Sequence, residues 1–236
     1  MGIARTTEVI PNLYQIPMHG SSAFLLLEDE ITVIDAGWKG RGRRVLDTVL
    51  DLGRSHQEIS YIISTHFHPD HIGGVAQVQD ESSGRVAVHE AEVCYVERKN
   101  GERLPNPVQH PLLALLLSPL LSMYHPPAFT VDLPLHDGSQ LQQLGGMVVV
   151  HTPGHTPGSI SLHFPQEGLL IVGDALQYQG GKLGLPSRLF SLDLEQAKDS
   201  VRRLAGLDFD TLCFSHFPAI RGGAARVLRD FADTLE

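Results

Sequence analysis

A chain of 236 residues is long enough to bury a sizeable core, and 42% hydrophobic with 19% charged residues is an ordinary globular composition. A formal net charge of −9, from 27 acidic and 18 basic residues with no polybasic run, excludes the electrostatic footprint of a nucleic-acid binder. A small substrate, uncharged or cationic, fits this balance better. The two cysteines, Cys94 and Cys213, form no CxxC pair. They sit in the apolar runs "AEVCYV" and "TLCFSH" and read as buried small hydrophobes. The start, "MGIARTTEVIPNLYQIP", lacks the charged-then-apolar pattern of a signal peptide, so the cytoplasm is the expected location.

The first forty residues predict strands: "TEVI", "LYQIP", "SAFLLLE" and "ITVIDAG" are short apolar runs separated by turn residues. "RGRRVLDTVLDLG" predicts a helix ended by Gly53, and "ISYIIST" a buried strand that runs straight into His66. "HIGGVAQVQDES" reads as the start of a helix. Its two early glycines are unfavourable on propensity and imply a close backbone approach. "RVAVH" predicts a strand and "EAEVCYVERKNG" a helix.

Residues 104–130 carry no Asp, Glu, Lys or Arg, and seven of the ten residues from Leu112 to Leu121 are leucine. A membrane span needs ~20 uninterrupted apolar residues. Prolines at 105, 107, 111, 119, 126 and 127 break this run, so no stable membrane insertion is expected. The segment reads as a helical insertion, either packed on the core or serving as a lid or homodimer surface. Beyond it, "TVDLPL", "QLQQLG", "MVVVHT", "SISLHF" and "LLIVGDA" predict strands. "DLEQAKDSVRRLAGL" predicts a helix capped by Asp193 or Ser191, "FDTLCFSH" a strand and "RGGAARVLRDFADTL" a closing helix. Helix, strand and "STHF" at 64–67 are echoed by helix, strand and "FSHF" at 214–217, which implies two β-then-α halves. Sheets packed together with helices outside would bury both, and with no linker in view residues 1–236 read as one domain.

"HFHPDH", residues 66–71, concentrates the chemistry. In extended backbone His66 and His68 point the same way, and Pro69 keeps His68 extended. Asp70 and His71 follow at a helix start, so the stretch can offer two histidines to one metal and two further donors to a second. Imidazole with carboxylate suits zinc, iron(II) or manganese. Three more donors close apolar strands or rigid turns: His155 in "HTPGHTPGS", Asp174 in "LLIVGDAL" and His216 in "TLCFSH". A charged group at such a place is costly unless paired or coordinated. His151 competes with His155 for the same turn. Of the remaining histidines, His19, His89 and His125 read as pocket-border or structural groups, and His56, His110, His136 and His163 as unrelated to a site. Trp38, Lys182 and Arg188 read as surface or pocket-edge residues, the last two in a glycine-rich loop after Asp174.

"TVIDAG", "THFHPDHIGG", "HTPGHTPGS", "GDAL" and the late "FSH" together resemble the metallo-β-lactamase-fold hydrolase superfamily, in that order, over roughly residues 20–217. The resemblance implies an α+β fold, an αββα sandwich of two mixed sheets face to face with helices outside. It implies that His66, His68 and His155 hold a first metal, that Asp70, His71 and His216 hold a second, and that Asp174 bridges them. Asp35 would orient ligands, and the family's TPGH pattern selects His155 over His151. Two departures stand out. Ser215-His216-Phe217 replaces a Gly-His-Gly-like turn, and "GDALQYQGG" lacks the Cys-Gly-Arg-type continuation of hydroxyacylglutathione hydrolases.

The implied reaction is attack on a carbonyl by a hydroxide shared between two divalent ions, zinc foremost, about 3.5–4 Å apart. Asp70 and Asp174 serve the metals, and Tyr178 is an oxyanion-donor candidate four residues after Asp174. A lactone or related carboxylic ester is the expected substrate. A thioester hydrolase and an iron-dependent sulfur oxygenase are the alternatives, followed by a β-lactamase, a phosphodiesterase and a non-catalytic binding protein.

Overall fold

The computed structural model describes residues 5–97, 112, 126–141 and 145–235. Most of the leucine- and proline-rich segment, with His110 and His125, lies outside the described residues. The chain divides into two compact units, one of residues 5–97 and 126–134, the other of 135–141 and 145–235.

The first unit is built on one sheet. Strands β1 (Thr7–Ile10), β2 (Leu13–Pro17), β3 (Ser22–Leu27), β4 (Ile31–Ile34), β5 (Ile59–Ile63), β6 (Arg85–His89) and β7 (Leu133–Leu135) lie side by side in chain order. The first four are antiparallel, and β5 and β6 run parallel to β4. Parallel neighbours need crossovers. The helix Gly42–Asp51 supplies the first, burying Val45, Leu46 and Val49 and leaving Leu50 exposed. β4 is buried at every position, so both faces of the strand are covered, which is why it reads as a continuous apolar run rather than an alternating one.

The second crossover departs from the sequence reading. Instead of one helix, Pro69–Ile72 makes a single turn and Val75–Glu81 follows, with Gly73 and Gly74 between them. A Cβ on Gly73 would fall on Lys39 N and Trp38 C, and one on Gly74 on Ala36 O and Gly42 N. The glycines therefore let this turn press against the loop after β4, where Ala36 N donates to His71 O (2.7 Å) and Gly74 N to Gly37 O (3.1 Å). A second correction concerns Cys94, which is exposed rather than buried. Its short helix, Val93–Val96, turns Val96 inward with the preceding Glu92, and Cys94 lies about half a turn from both.

The second unit has a mixed sheet of β8 (Gln140–Leu141), β9 (Met147–His151), β10 (Ile160–Phe164), β11 (Leu169–Ile171), β14 (Thr211–Cys213) and β15 (Ile220–Arg221), in the order β15-β14-β11-β10-β9-β8. Only β11 and β14 pair in parallel. The helices Leu194–Ala205 and Ala224–Ala232 bury Val201, Leu204 and Leu228 against Leu170, Leu212 and Phe214. Asp193 caps the first of them through Gln196 N (3.0 Å), settling the choice between Asp193 and Ser191. Where a glycine-rich loop was expected after Asp174, the chain forms a hairpin, β12 (Gln177–Gln179) and β13 (Lys182–Gly184), so Lys182 belongs to a strand. Cys213 is buried as expected, and that burial pushes its thiol up to about 12.

Candidate metal centre

In the first unit the donors follow β5. Its neighbour β4 is followed directly by Asp35, whose backbone adopts φ +57° and whose side chain is buried. A buried carboxylate needs several hydrogen bonds. Asp35 has three: Thr65 N donates to Oδ1 (2.8 Å), and Thr65 Oγ1 and His71 Nδ1 both approach Oδ2 (2.8 Å each). An ionised carboxylate only accepts, so Nδ1 of His71 carries a proton, and Nε2 is the nitrogen through which it would bind a ligand. The same logic passes through Thr65. Its hydroxyl proton goes to Asp35, so at 3.1 Å it accepts from His66 Nδ1, which again leaves the lone pair on Nε2. One acid thus sets the tautomer of two imidazoles.

His66, His68 and His71 are all buried, with ring centroids 4.6 Å apart for His66–His68 and 4.0 Å for His66–His71. His68 is extended, as Pro69 requires, and Ser21 Oγ donates to Asp70 O (2.7 Å). Phe67 points the other way and stacks on Tyr95 (4.7 Å between centroids), which moors the motif to the Val93–Val96 helix.

In the second unit three donors come from three places. His155 lies in the turn after β9 and is buried; its Nδ1 is 3.0 Å from Ser191 Oγ. Gly154, at φ +126°, makes this turn fit, since a Cβ there would strike Ala197 N. Gly154 O also accepts from Leu192 N and Asp193 N, so the turn and the helix cap brace each other. Asp174 follows β11, and His216 follows β14. Asp174 Oδ2 lies 3.0 Å from His216 Nε2 and 3.4 Å from His155 Nε2, placing one carboxylate oxygen within reach of two imidazoles.

All seven donors named from the sequence belong to groupings of side chains able to hold a metal ion. The donor chemistry fits such an ion. In the first unit, His71 Nε2 and Asp70 Oδ2 are 3.6 Å apart although the proton of His71 is committed to Asp35. A cation there, a divalent ion or a second proton on the imidazole, turns that approach into an attraction, and an imidazole–carboxylate pair is a donor set that a divalent ion accepts. Tyr178 stands in β12 with its ring stacked on Phe214 (5.6 Å, 9°), two residues before His216. Three other histidines are held in hydrogen bonds of their own. His151 Nε2 bonds Pro157 O (2.9 Å), His163 Nε2 bonds Asp208 O (2.9 Å), and His89 Nδ1 accepts from Ala91 N (3.3 Å). His19 is exposed at φ +58°. Sequence reasoning missed Thr65 and Ser191 as partners of ligands; each is a buried hydroxyl with no spacing pattern to mark it.

A family model for the metallo-beta-lactamase superfamily matches residues 16–216. The chain belongs to the metallo-beta-lactamase superfamily. It is similar to the probable metallo-hydrolase YflN of Bacillus subtilis, 30% identical over 91% of this chain and 83% of that protein. It is also similar to a hydroxyacylglutathione hydrolase of Cereibacter sphaeroides, 30% identical over 78% of this chain and 56% of that enzyme's length. Among solved structures, a mutant metallo-β-lactamase from Cronobacter sakazakii superposes with a TM-score of 0.70 at 24% identity, over 90% of this chain and 80% of that one. That likeness speaks to fold alone: the metallo-β-lactamase fold, of the α+β class expected from the sequence. Membership of the metallo-beta-lactamase superfamily and the metallo-hydrolase relatives support a hydrolase, and together with the His/Asp donors they imply divalent metal ions. Among the described residues no helix is long and apolar enough to cross a membrane.

Proposed function

We propose that the chain is a dinuclear metal-dependent hydrolase of lactones or related carboxylic esters. In this reading His66, His68 and His155 would hold one ion, Asp70, His71 and His216 would hold the other, and Asp174 would serve both. The ions are zinc, with iron or manganese as alternatives for the same donors, and the setting is the cytoplasm. The observation that carries the reading is the network that ties the Nδ1 atoms of His66 and His71 to Thr65 and Asp35 and so makes Nε2 the ligating nitrogen of each. Bound there, a pair of divalent ions supplies Lewis acidity toward a carbonyl oxygen and lowers the pKa of coordinated water to about 7. The protein's own part is orientation. Asp35 and Thr65 aim His66 and His71, Asp174 joins His155 and His216, and Tyr178 donates its hydroxyl to the oxygen that gains charge.

Support for a lactone or ester is Tyr178, four residues after Asp174, and separately the leucine-rich sequence from Leu112 to Leu121, whose composition suits an acyl chain. A thioester substrate is the second reading, favoured by the relationship to the Cereibacter sphaeroides hydroxyacylglutathione hydrolase. The test is a panel of lactones, linear esters, thioesters, β-lactams and phosphodiesters, run with the metal-loaded and the chelator-stripped protein. Metal-dependent turnover of lactones or esters is expected. Turnover of thioesters alone selects the second reading, and the absence of metal-dependent turnover of any ester or thioester removes both. Tyr178→Phe is expected to lower kcat by about 10²–10³-fold, the usual cost of an oxyanion donor.

A further inference from the structure

His151 closes β9 and His155 follows four residues later in the turn after it, and spacing alone does not say why one of them should bind metal. Hydrogen bonding separates them. Nε2 of His151 faces the Pro157 carbonyl at 2.9 Å, and a carbonyl only accepts, so His151 carries its proton on Nε2 and offers no lone pair there. His155 is the reverse. Its Nδ1 is 3.0 Å from Ser191 Oγ, and that hydroxyl lies 2.7 Å from Ser187 O. A serine has one hydroxyl proton, and Ser187 O must receive it. Ser191 Oγ therefore accepts from His155 Nδ1–H, and the Nε2 lone pair faces Asp174 Oδ2 at 3.4 Å.

We propose that Ser191 is a positioning residue that holds His155 in its metal-binding tautomer, a role that rests on the dinuclear reading above. The placement of Ser191 is fixed from both sides. It is fully buried. The next two residues, Leu192 and Asp193, donate their backbone N–H groups to Gly154 O, and Asp193 caps the helix that follows. Ser200 Oγ from that helix returns to Pro153 O at 2.6 Å. The turn that carries His155 and the segment that carries Ser191 thus form one hydrogen-bonded block. Without the Ser191 oxygen, Nδ1–H of His155 loses its acceptor, and the imidazole can move its proton to Nε2, where it blocks coordination.

The experiment compares zinc affinity, by competition with a chromophoric chelator, across the full-length wild type and Ser191→Ala, Ser191→Thr, Ser191→Cys and His155→Ala. Removing the partner of a metal-ligating histidine typically weakens metal binding 10–100-fold, and that loss is expected for Ser191→Ala and Ser191→Cys, with Ser191→Thr within about threefold of wild type. The cysteine variant keeps the volume while weakening the acceptor, so it covers the case in which alanine fails to fold. Long-range ¹H–¹⁵N spectra of the zinc-loaded protein read the Nδ1 proton directly: in the wild type His155 should show an Nδ1 proton protected from exchange by Ser191, and in Ser191→Ala one that exchanges fast. If Ser191→Ala and Ser191→Cys bind zinc like the wild type while His155→Ala does not, the role of Ser191 is overturned and the metal site stands. If His155→Ala itself keeps wild-type zinc content and affinity, the dinuclear reading falls and this role falls with it.

Discussion

The two units supply their metal-ligand candidates in opposite ways. The first packs four donors into six consecutive residues, buries its three imidazoles and serves two of them with one acid, Asp35. The second takes one donor from each of three separate turns, leaves the side chains of Asp174 and His216 15% and 28% exposed, and gives His155 a private partner, Ser191. A contiguous motif is positioned by local chain geometry and needs only one anchor. Scattered donors depend on tertiary packing, so each needs an anchor of its own. Removing an anchor should therefore do more damage in the first unit than in the second.

The largest effect expected is at Asp35. Asp35→Ala leaves His71 and Thr65 without their acceptor in a buried place, which should cost about 2–5 kcal/mol in urea unfolding, since each stranded group costs about 1–3 kcal/mol. It should also weaken zinc binding beyond the loss expected of Ser191→Ala. Equal losses for the two variants would break the contrast. Next come the glycines that seat each motif. Gly73→Ala and Gly154→Ala drive a Cβ into backbone atoms and should each cost about 1–3 kcal/mol or more, whereas Gly180→Ala, with open space around it, should cost only the left-handed backbone penalty of about 1–2 kcal/mol. A Gly180→Ala variant as unstable as Gly154→Ala would mean that contact at Ala197 is not what restricts the His155 turn.

The cysteines sharpen the same contrast through reactivity. In the native protein a maleimide should label Cys94 fast, while Cys213, buried with its thiol pushed up to about 12, reacts only on unfolding. Mass spectrometry of the labelled peptides distinguishes them, and prompt labelling of Cys213 would show that the second unit opens readily. The smallest effect belongs to Asp137. Burial alone would raise its carboxyl, but hydrogen bonds from Arg203 and from His151 N hold it below its ordinary value of 3.8. A lowered folded-state pKa means stability that is present above the unfolded value and lost as pH falls through the folded one. Because both partners are nearly half exposed, solvent screening keeps that contribution below about 1 kcal/mol. Asp137→Asn should therefore flatten the acid limb of the stability curve only slightly.

Much of this was legible in the sequence because it is written in local order. The apolar runs of β3 to β6 announce buried strands, and the spacing of His66, His68, Asp70 and His71 announces its chemistry within one turn of chain. The break at Gly73–Gly74 was half legible: the glycines signalled a close approach, but the loop they approach lies far earlier in the chain, and periodicity does not report tertiary neighbours. The hairpin at Gln177–Gly184 hid because its strands are three residues long and polar, although the Gly180–Gly181 pair is a hairpin signal. Cys94 misled because an apolar neighbourhood in sequence says nothing of which way a helix faces. Thr65 and Ser191 were invisible as partners for a different reason. A hydroxyl that orients a ligand has no spacing rule, since it can reach its imidazole from any element that packs there.

Asp35 occupies a backbone conformation that disfavours every side chain but the smallest, at a cost of roughly 1–2 kcal/mol for an L-residue. Glycine would relax that strain, and asparagine would tolerate it, but neither could take protons from Thr65 and His71 as a carboxylate does. Backbone preference alone would not choose this residue for this position. Asp35→Gly would recover the roughly 1–2 kcal/mol of backbone strain and still lose about 2–5 kcal/mol as Thr65 and His71 are left without their acceptor, so a strained residue is the one that holds both the strand end and the alignment of His66 and His71.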